Sequence, residues 1–159
     1  AFTKKSKERI IKMGENPKNV FFTGSPALDE IFKTKITSKD KLEKKYNFKF
    51  SGKDILLLQH PVTTEISQSS KQISKTLNAI IKTKIKTIAI LPNSDAGNKE
   101  IRDYLKNISK KNKMIKLFKN LPRQDFLGML NNCGILVGNS SAGIVEASCF
   151  DIPVINAPP

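Results

Sequence analysis

From about residue 54 onward, short apolar runs alternate with segments whose apolar residues recur at helical spacing. The runs that we predict to be strands are 55–58, 87–91, 114–118, 135–137 and 153–156. A continuous apolar run is typical of a strand buried on both faces, as in parallel sheets. The helices predicted between them lie around 66–81, 101–108 and 122–130. This alternation predicts an α/β fold, a Rossmann-like parallel sheet covered by helices.

The pattern before residue 54 is weaker. A helix is predicted from Lys5 to Met13, where Gly14 ends it, followed by a short strand at 20–22 and a second helix at 27–32. Residues 33–53 are rich in lysine and contain few apolar positions. We therefore interpret 33–53 as a surface excursion or a linker.

Polar clusters punctuated by glycine or proline follow three of the predicted strands. They are 59–64, which contains His60, 92–97, which contains Asn93, and 138–141, which contains Ser140. Because ligands of parallel sheets bind at the carboxyl ends of the strands, we expect these clusters to share one rim and form one site. Each cluster also has an ordinary explanation, since a lone histidine often hydrogen-bonds within the fold and Asn or Asp before a helix is often a cap.

The stretch 138–147 is the most informative in the chain. It predicts a tight Gly-Asn turn and then a helix that opens on Ser140 and Ser141, an arrangement suited to a phosphate or pyrophosphate. Glu146 lies more than one helical turn further on, where a carboxylate suits a hydroxyl-bearing group such as ribose. The alternative is that the serines only cap the helix and that Gly143 only permits close packing. Neither the G-x-G-x-x-G nor the P-loop fingerprint is present.

Composition bounds the function further. The chain has 159 residues and is 38% hydrophobic, which suits one compact domain with a sizeable core. The net charge of +14 suggests nucleic acid as a partner, but the lysines are dispersed, and there are only two tyrosines and no tryptophan. We therefore expect solvated basic faces and no nucleic-acid partner. No bilayer-spanning run or signal-peptide pattern is present, so we expect no membrane association and a cytoplasmic location.

The cysteines do not indicate a disulfide or a metal centre. Cys133 and Cys149 are the only two cysteines and form no CxxC pair, and the chain has a single histidine. We interpret both as buried free thiols and expect no metal and no cofactor.

Several motifs, in order along nearly the whole chain, resemble the hydrolysing UDP-N-acetylglucosamine 2-epimerases. They are Thr3-Lys4-Lys5-Ser6 with 9–15, Gly24-Ser25-Pro26-Ala27-Leu28-Asp29, His60-Pro61-Val62-Thr63-Thr64-Glu65, 92–97, Leu121-Pro122-Arg123, and 138–147. The Asn-Ser-Ser turn at 139–141 distinguishes this pattern from the non-hydrolysing epimerases, which carry Asp-Ser-Gly-Gly there. The resemblance implies one half of a twin-Rossmann architecture like that of the B-type glycosyltransferases. Residues 1–26 would be the tail of the N-terminal domain and the crossover, and 27–159 the C-terminal UDP-binding domain.

The resemblance also implies roles for individual residues. Ser140 and Ser141 would bind the diphosphate, Glu146 the ribose hydroxyls, and Asn93 would line the nucleotide site. His60 would approach the diphosphate or the sugar. The family's acid and base carboxylates belong to the N-terminal half, so no catalytic residue is assigned in this chain.

The family reaction expels UDP through a glucal-like intermediate with inversion at carbon 2, after which water adds and releases a free sugar of the N-acetylmannosamine type. The resemblance therefore implies a role in sialic or legionaminic acid biosynthesis, and we expect the intact enzyme to be a homo-oligomer. Where the family continues with an Arg-Gln pair after the last strand, this chain has Ala157-Pro158-Pro159, so we expect a truncated domain that is inactive alone. The alternatives are a twin-Rossmann UDP-sugar glycosyltransferase and, outside enzymes, a basic module that binds RNA or other anions.

Overall fold

The chain divides into two compact units in a computed structural model that describes residues 1–157. The first unit comprises residues 1–34 and the second begins at Lys35.

The N-terminal unit contains two short helices and a three-ten turn. Helix α1 is Lys4–Lys12, the turn is Pro17–Asn19 and helix α2 is Pro26–Lys33. The hydroxyl of Thr3 caps α1 by accepting a hydrogen bond from the backbone N–H of Ser6 at 2.9 Å. The strand predicted at 20–22 is wrong, because a strand needs a partner to hydrogen-bond with and all sheet pairing in the described residues lies in the second unit.

The second unit is built on a five-stranded parallel sheet. The strands are β1 Ile55–Leu58, β2 Thr87–Ile90, β3 Ile115–Phe118, β4 Ile135–Gly138 and β5 Val154–Asn156. Their order in the sheet is β3-β2-β1-β4-β5. All of β1 is buried, as its unbroken apolar run predicts for a central parallel strand. The predicted α/β parallel fold is therefore confirmed.

The strand order reverses between β1 and β4, which lie side by side with Leu58 opposite Gly138. The chain runs outward from β1 to β2 and β3, then returns to the other side of β1 to form β4 and β5. Loops that leave β1 and β4 at such a switch point diverge and open a crevice, which is where ligands of open α/β sheets bind.

Helices cover both faces of the sheet. They are α3 Lys39–Tyr46, α4 Ser69–Thr83, α5 Asn98–Lys111 and α6 Arg123–Asn132. Alternate residues of the strands point to opposite faces, so Leu56 joins one apolar core and Leu57 the other. The first core includes residues of α3 and α6, and the second includes residues of α4 and α5.

Two sequence-based predictions about local structure are wrong. Residues 33–53 are not a mere surface excursion, because they contain α3 and because Leu42, Phe48 and Phe50 are buried in the core. The helix predicted after Gly138 is instead two three-ten segments, Ser141–Gly143 and Ala147–Phe150, separated by a turn. Such short segments develop little of the macrodipole of an α-helix.

The cysteine interpretation holds only in part. Cys133 is buried, but Cys149 is partly exposed. None of the described helices has the length and apolar character needed to cross a bilayer.

Candidate functional site

A cavity of about 610 Å³ lies at the carboxyl ends of the strands. All five residues predicted to bind substrate line it, namely His60, Asn93, Ser140, Ser141 and Glu146. They come from the loops after β1, β2 and β4, so the predicted convergence of His60, Asn93 and Ser140 at one rim is confirmed.

Asn139 joins the loops that follow β1 and β4. Its side-chain Oδ1 accepts from the backbone N–H of His60 at 2.7 Å, and its Nδ2 donates to the carbonyl of His60 at 3.0 Å. Its own backbone N–H donates to the carbonyl of Leu58 at 3.1 Å. These bonds fix the backbone of His60 relative to residues 139–141, which we call the serine loop.

The imidazole of His60 is partly buried at the cavity wall. Burial lowers the pKa of His60 below its usual 6.5, against the opposing influence of the Asp95 carboxylate. Its Nδ1 accepts from the backbone N–H of Asn93 at 3.5 Å, the long limit of a hydrogen bond. A neutral imidazole that accepts at Nδ1 carries its proton on Nε2 and can donate it to an oxygen of a ligand.

The serine loop begins at a glycine that no other residue can easily replace. Gly138 has φ +138°, and a Cβ at this position would lie 1.8 Å from the carbonyl oxygen of Leu58. Close approach of the two backbones therefore sets the direction in which the chain leaves β4. In residues 1–157, the backbone N–H groups of Ser140 and Ser141 make no hydrogen bond, which leaves them available to an acceptor in the cavity.

Glu146 forms an ion pair within the cavity wall. Its Oε1 accepts from Nη1 of Arg123 at 2.8 Å, and the two side chains are 16% and 35% exposed respectively. The guanidinium carbon of Arg123 lies 5.9 Å from the ring centroid of Phe126. Both Arg123 and Phe126 line the cavity.

A buried carboxylate secures the start of α6. Asp125 accepts hydrogen bonds from Thr37 at 2.5 Å, from Nζ of Lys45 at 2.6 Å and from the hydroxyl of Tyr46 at 2.5 Å. Burial favours the neutral acid, but the hydrogen bonds outweigh it and hold the pKa of Asp125 below its usual value of 3.8. This cluster connects α3 to α6 two residues after Arg123, the residue that reaches the cavity.

A fourth loop, the one after β3, also reaches the cavity, although no role was predicted for it or for its cations. Lys119 and Arg123 in the segment after β3, together with Arg102 on α5, give the cavity positively charged walls. The signal was present, because 119–123 also follows an apolar strand and contains a proline, but it was not counted among the polar clusters. Among residues 1–157, no three His, Cys, Asp or Glu side chains gather as metal ligands would.

A family model described as UDP-N-acetylglucosamine 2-epimerase matches residues 1–157. The chain belongs to this family. Among curated members, the UDP-N,N′-diacetylbacillosamine 2-epimerase (hydrolyzing) of Legionella pneumophila is 35% identical over 154 residues, which is 97% of this chain and 41% of that protein. The GDP/UDP-N,N′-diacetylbacillosamine 2-epimerase (hydrolyzing) of Campylobacter jejuni is 32% identical over 94% of this chain and 40% of its own length. The chain thus spans about two fifths of the length of these relatives.

Solved structures of family members share the fold. The UDP-GlcNAc 2-epimerase from Neisseria meningitidis bound to UDP-GlcNAc superposes with a TM-score of 0.79 at 19% identity, over 98% of this chain and 43% of that one. The Methanocaldococcus jannaschii UDP-GlcNAc 2-epimerase in complex with UDP-GlcNAc and UDP gives a TM-score of 0.75 at 20% identity, over 98% of this chain and 44% of that one. The Rossmann-like fold, as one half of the twin-Rossmann architecture of these epimerases, is confirmed.

Proposed function

We propose that the cavity binds the UDP portion of a UDP-N-acetyl amino sugar and that the protein containing this chain is a hydrolysing 2-epimerase. Its products would be UDP and a free 2-epimer of the N-acetylmannosamine type, made in the cytoplasm for sialic or legionaminic acid biosynthesis. The observation that carries this proposal is the meeting of three separate loops in one cavity, each contributing residues for which the family resemblance implies a role in substrate binding. The relatives named hydrolysing epimerases support the finer assignment.

The anionic portion of the ligand belongs at the serine loop. Two hydroxyls, two unbonded backbone N–H groups and the cations of the cavity wall offer donors to a diphosphate. As the bond from carbon 1 of the sugar to the diphosphate oxygen breaks, negative charge grows on the departing UDP, so donors fixed in advance stabilise the transition state more than the ground state. Because the segment after Ser140 is a three-residue three-ten turn, this stabilisation comes from local donors and not from a helix macrodipole.

The three remaining residues divide between the sugar side, the ribose and the rest of the nucleotide. A neutral His60, with its proton on Nε2, donates to an oxygen of the diphosphate or of the sugar. Glu146 accepts from the ribose hydroxyls. A carboxylate is a suitable partner for hydroxyl groups but not for a negatively charged diphosphate. Asn93, which also lines the cavity, would contact the nucleotide.

The catalytic steps at the sugar need groups that lie outside this chain's cavity. Carbon 2 loses its proton as UDP leaves, and water then adds to the glucal-like intermediate, so an acid and a base must face the sugar. We assign these groups to the N-terminal domain and residues 27–159 to the UDP-binding domain. The 159-residue chain alone is therefore expected to bind UDP but to release no N-acetylmannosamine from UDP-N-acetylglucosamine.

Isothermal titration of the 159-residue chain with UDP, uridine and pyrophosphate tests the site. Ser141→Ala removes a hydroxyl from the anion site but leaves the backbone donors, so affinity for UDP and for pyrophosphate should fall together by about 1–3 kcal/mol. Glu146→Gln should weaken UDP and uridine binding and leave pyrophosphate binding nearly unchanged. Ser148→Ala and Glu100→Gln, which lie outside the cavity lining, are matched controls.

Two results would contradict the proposal. Binding that shows no preference for UDP over pyrophosphate, and that weakens steeply and equally for all polyanions as salt rises, would indicate a general anion-binding surface. A Glu146→Gln variant that loses pyrophosphate affinity as much as uridine affinity would make Glu146 a structural residue.

A further inference from the structure

Glu146 is already held by a hydrogen bond before any ligand enters the cavity. Arg123 donates from Nη1 to Oε1 of Glu146 at 2.8 Å, which leaves Oε2 and the second lone pair of Oε1 for other donors. Both side chains are mostly shielded from water, with 35% of Arg123 and 16% of Glu146 exposed. A pair this shielded is more strongly coupled than an exposed surface pair.

The guanidinium of Arg123 is itself fixed in position. Arg123 is the first residue of α6, directly after Pro122, whose ring locks φ at −53°. One turn later, the ring of Phe126 lies 5.9 Å from the guanidinium carbon. The buried cluster around Asp125 attaches the same turn to α3. Arg123 therefore presents a fixed donor to Glu146, which lies between two three-ten segments.

We propose that Arg123 is a positioning residue that orients the carboxylate of Glu146 toward the ribose hydroxyls and so sets the preference of the site for ribose over deoxyribose. This inference rests on the proposed binding of UDP. A glutamate side chain has three rotatable bonds, and ordering it on binding costs free energy that lowers affinity. Because Arg123 already holds Oε1 of Glu146, most of this side-chain freedom is lost before the ligand binds.

The competing role for Arg123 is direct contact with the diphosphate, since arginine commonly binds phosphate. The two roles differ in their dependence on Glu146. A positioning residue acts only when Glu146 can accept from ribose, whereas a phosphate ligand acts on pyrophosphate alone and acts equally without Glu146.

A double-mutant cycle on the 159-residue chain separates these roles. The variants are Arg123→Met, which keeps an unbranched side chain over Phe126, then Glu146→Gln and the combination of both. Arg102→Met is the matched control, because it removes one positive charge from the same cavity without touching Glu146. Each protein is titrated with UDP, with 2′-deoxy-UDP and 3′-deoxy-UDP, and with pyrophosphate, after circular dichroism shows a native spectrum.

The ratio of UDP affinity to deoxy-UDP affinity is the decisive quantity. A hydrogen bond to a charged group predicts a ratio of about tenfold or more in the wild type. Arg123→Met should bring this ratio close to one. Arg123→Lys should keep a ratio between one and the wild-type value. When Glu146 is already replaced by Gln, adding Arg123→Met should not change the ratio further. Pyrophosphate affinity should fall no more than in Arg102→Met.

The outcomes distinguish the inference from the proposed function. If the wild type binds UDP no better than pyrophosphate, the proposed function itself fails. If the wild type prefers UDP but Arg123→Met keeps the ribose ratio and loses pyrophosphate affinity, Arg123 is a phosphate ligand and the positioning role is wrong. Additive effects of the two substitutions on the ratio also overturn it. If Arg123→Met does not fold, the Arg123→Lys ratio, expected between the wild-type value and one, decides.

Discussion

Replacing Gly138 by alanine should damage both the fold and the site, because the backbone of β1 leaves no room for a side chain where the serine loop begins. The added Cβ would lie 1.8 Å from the carbonyl oxygen of Leu58 and 2.4 Å from its carbonyl carbon. These atoms belong to the backbone of β1, paired in register with Gly138, so they cannot move away as a flexible side chain could.

Two costs add up at this position. Holding a non-glycine residue at φ +138° costs about 1–3 kcal/mol. Overpacking against a well-ordered core costs a further ~1–3 kcal/mol. We therefore expect Gly138→Ala to lower the free energy of unfolding by about 2–6 kcal/mol, a large share of the ~5–15 kcal/mol of a typical domain. Any shift of the strand that relieves the clash also displaces the loop at 139–141.

Urea unfolding followed by circular dichroism, together with titration of UDP, measures both effects. Gly52→Ala is the matched control, because Gly52 also has positive φ, at +75°, but a Cβ there meets nothing within 4 Å. The control should lose only about 1–2 kcal/mol and keep its affinity for UDP. Equal destabilisation of the two variants, or unchanged UDP affinity in a folded Gly138→Ala protein, would show that close approach at Gly138 does not shape the site.

Three further predictions concern titratable groups. Asp125→Asn should lower the free energy of unfolding at neutral pH by about 1–3 kcal/mol. The difference in unfolding free energy between the wild type and this variant should become smaller as pH falls below the usual aspartate pKa. The reason is that a carboxylate with a lowered pKa in the folded protein stabilises the fold only while it is ionised. The pKa of His60 is lowered in the folded state, so thermal stability should fall as pH drops below about 6.5, and His60→Gln should reduce that fall. A thiol reagent at about pH 8 should label Cys149 in the native protein and Cys133 only after unfolding, because Cys133 is buried and burial raises its pKa to about 12; equal labelling rates would contradict this.

The strands and the long helices of the second unit could be predicted because local sequence encodes them strongly. The unbroken apolar run Ile55–Leu58 favours a strand covered on both faces, and in the structure all four residues are buried. In a parallel sheet the loops that follow the strands lie at one rim, so the convergence of His60, Asn93 and Ser140 could be predicted from the sequence. The family motifs added the prediction that these residues bind a UDP-sugar, because residue spacing alone does not identify the ligand.

Tertiary structure alone decided the remaining features. The small number of apolar residues in 33–53 suggested a linker, yet Leu42, Phe48 and Phe50 are buried in the core on one face of the sheet. Whether a residue is buried depends on the elements that pack against it in the folded chain, not on the number of apolar residues beside it in the sequence. The segment after Gly138 has the composition of a capped helix but forms three-ten turns instead.

The contact between Arg123 and Glu146 spans 23 residues and two loops, so no local pattern encodes it. The sequence by itself thus determined which segments form the sheet and on which rim its loops lie, because both follow from local apolar pattern and strand direction. Only the folded chain decided which polar groups pair across that rim, because such pairing depends on distances that arise when separate loops are packed together.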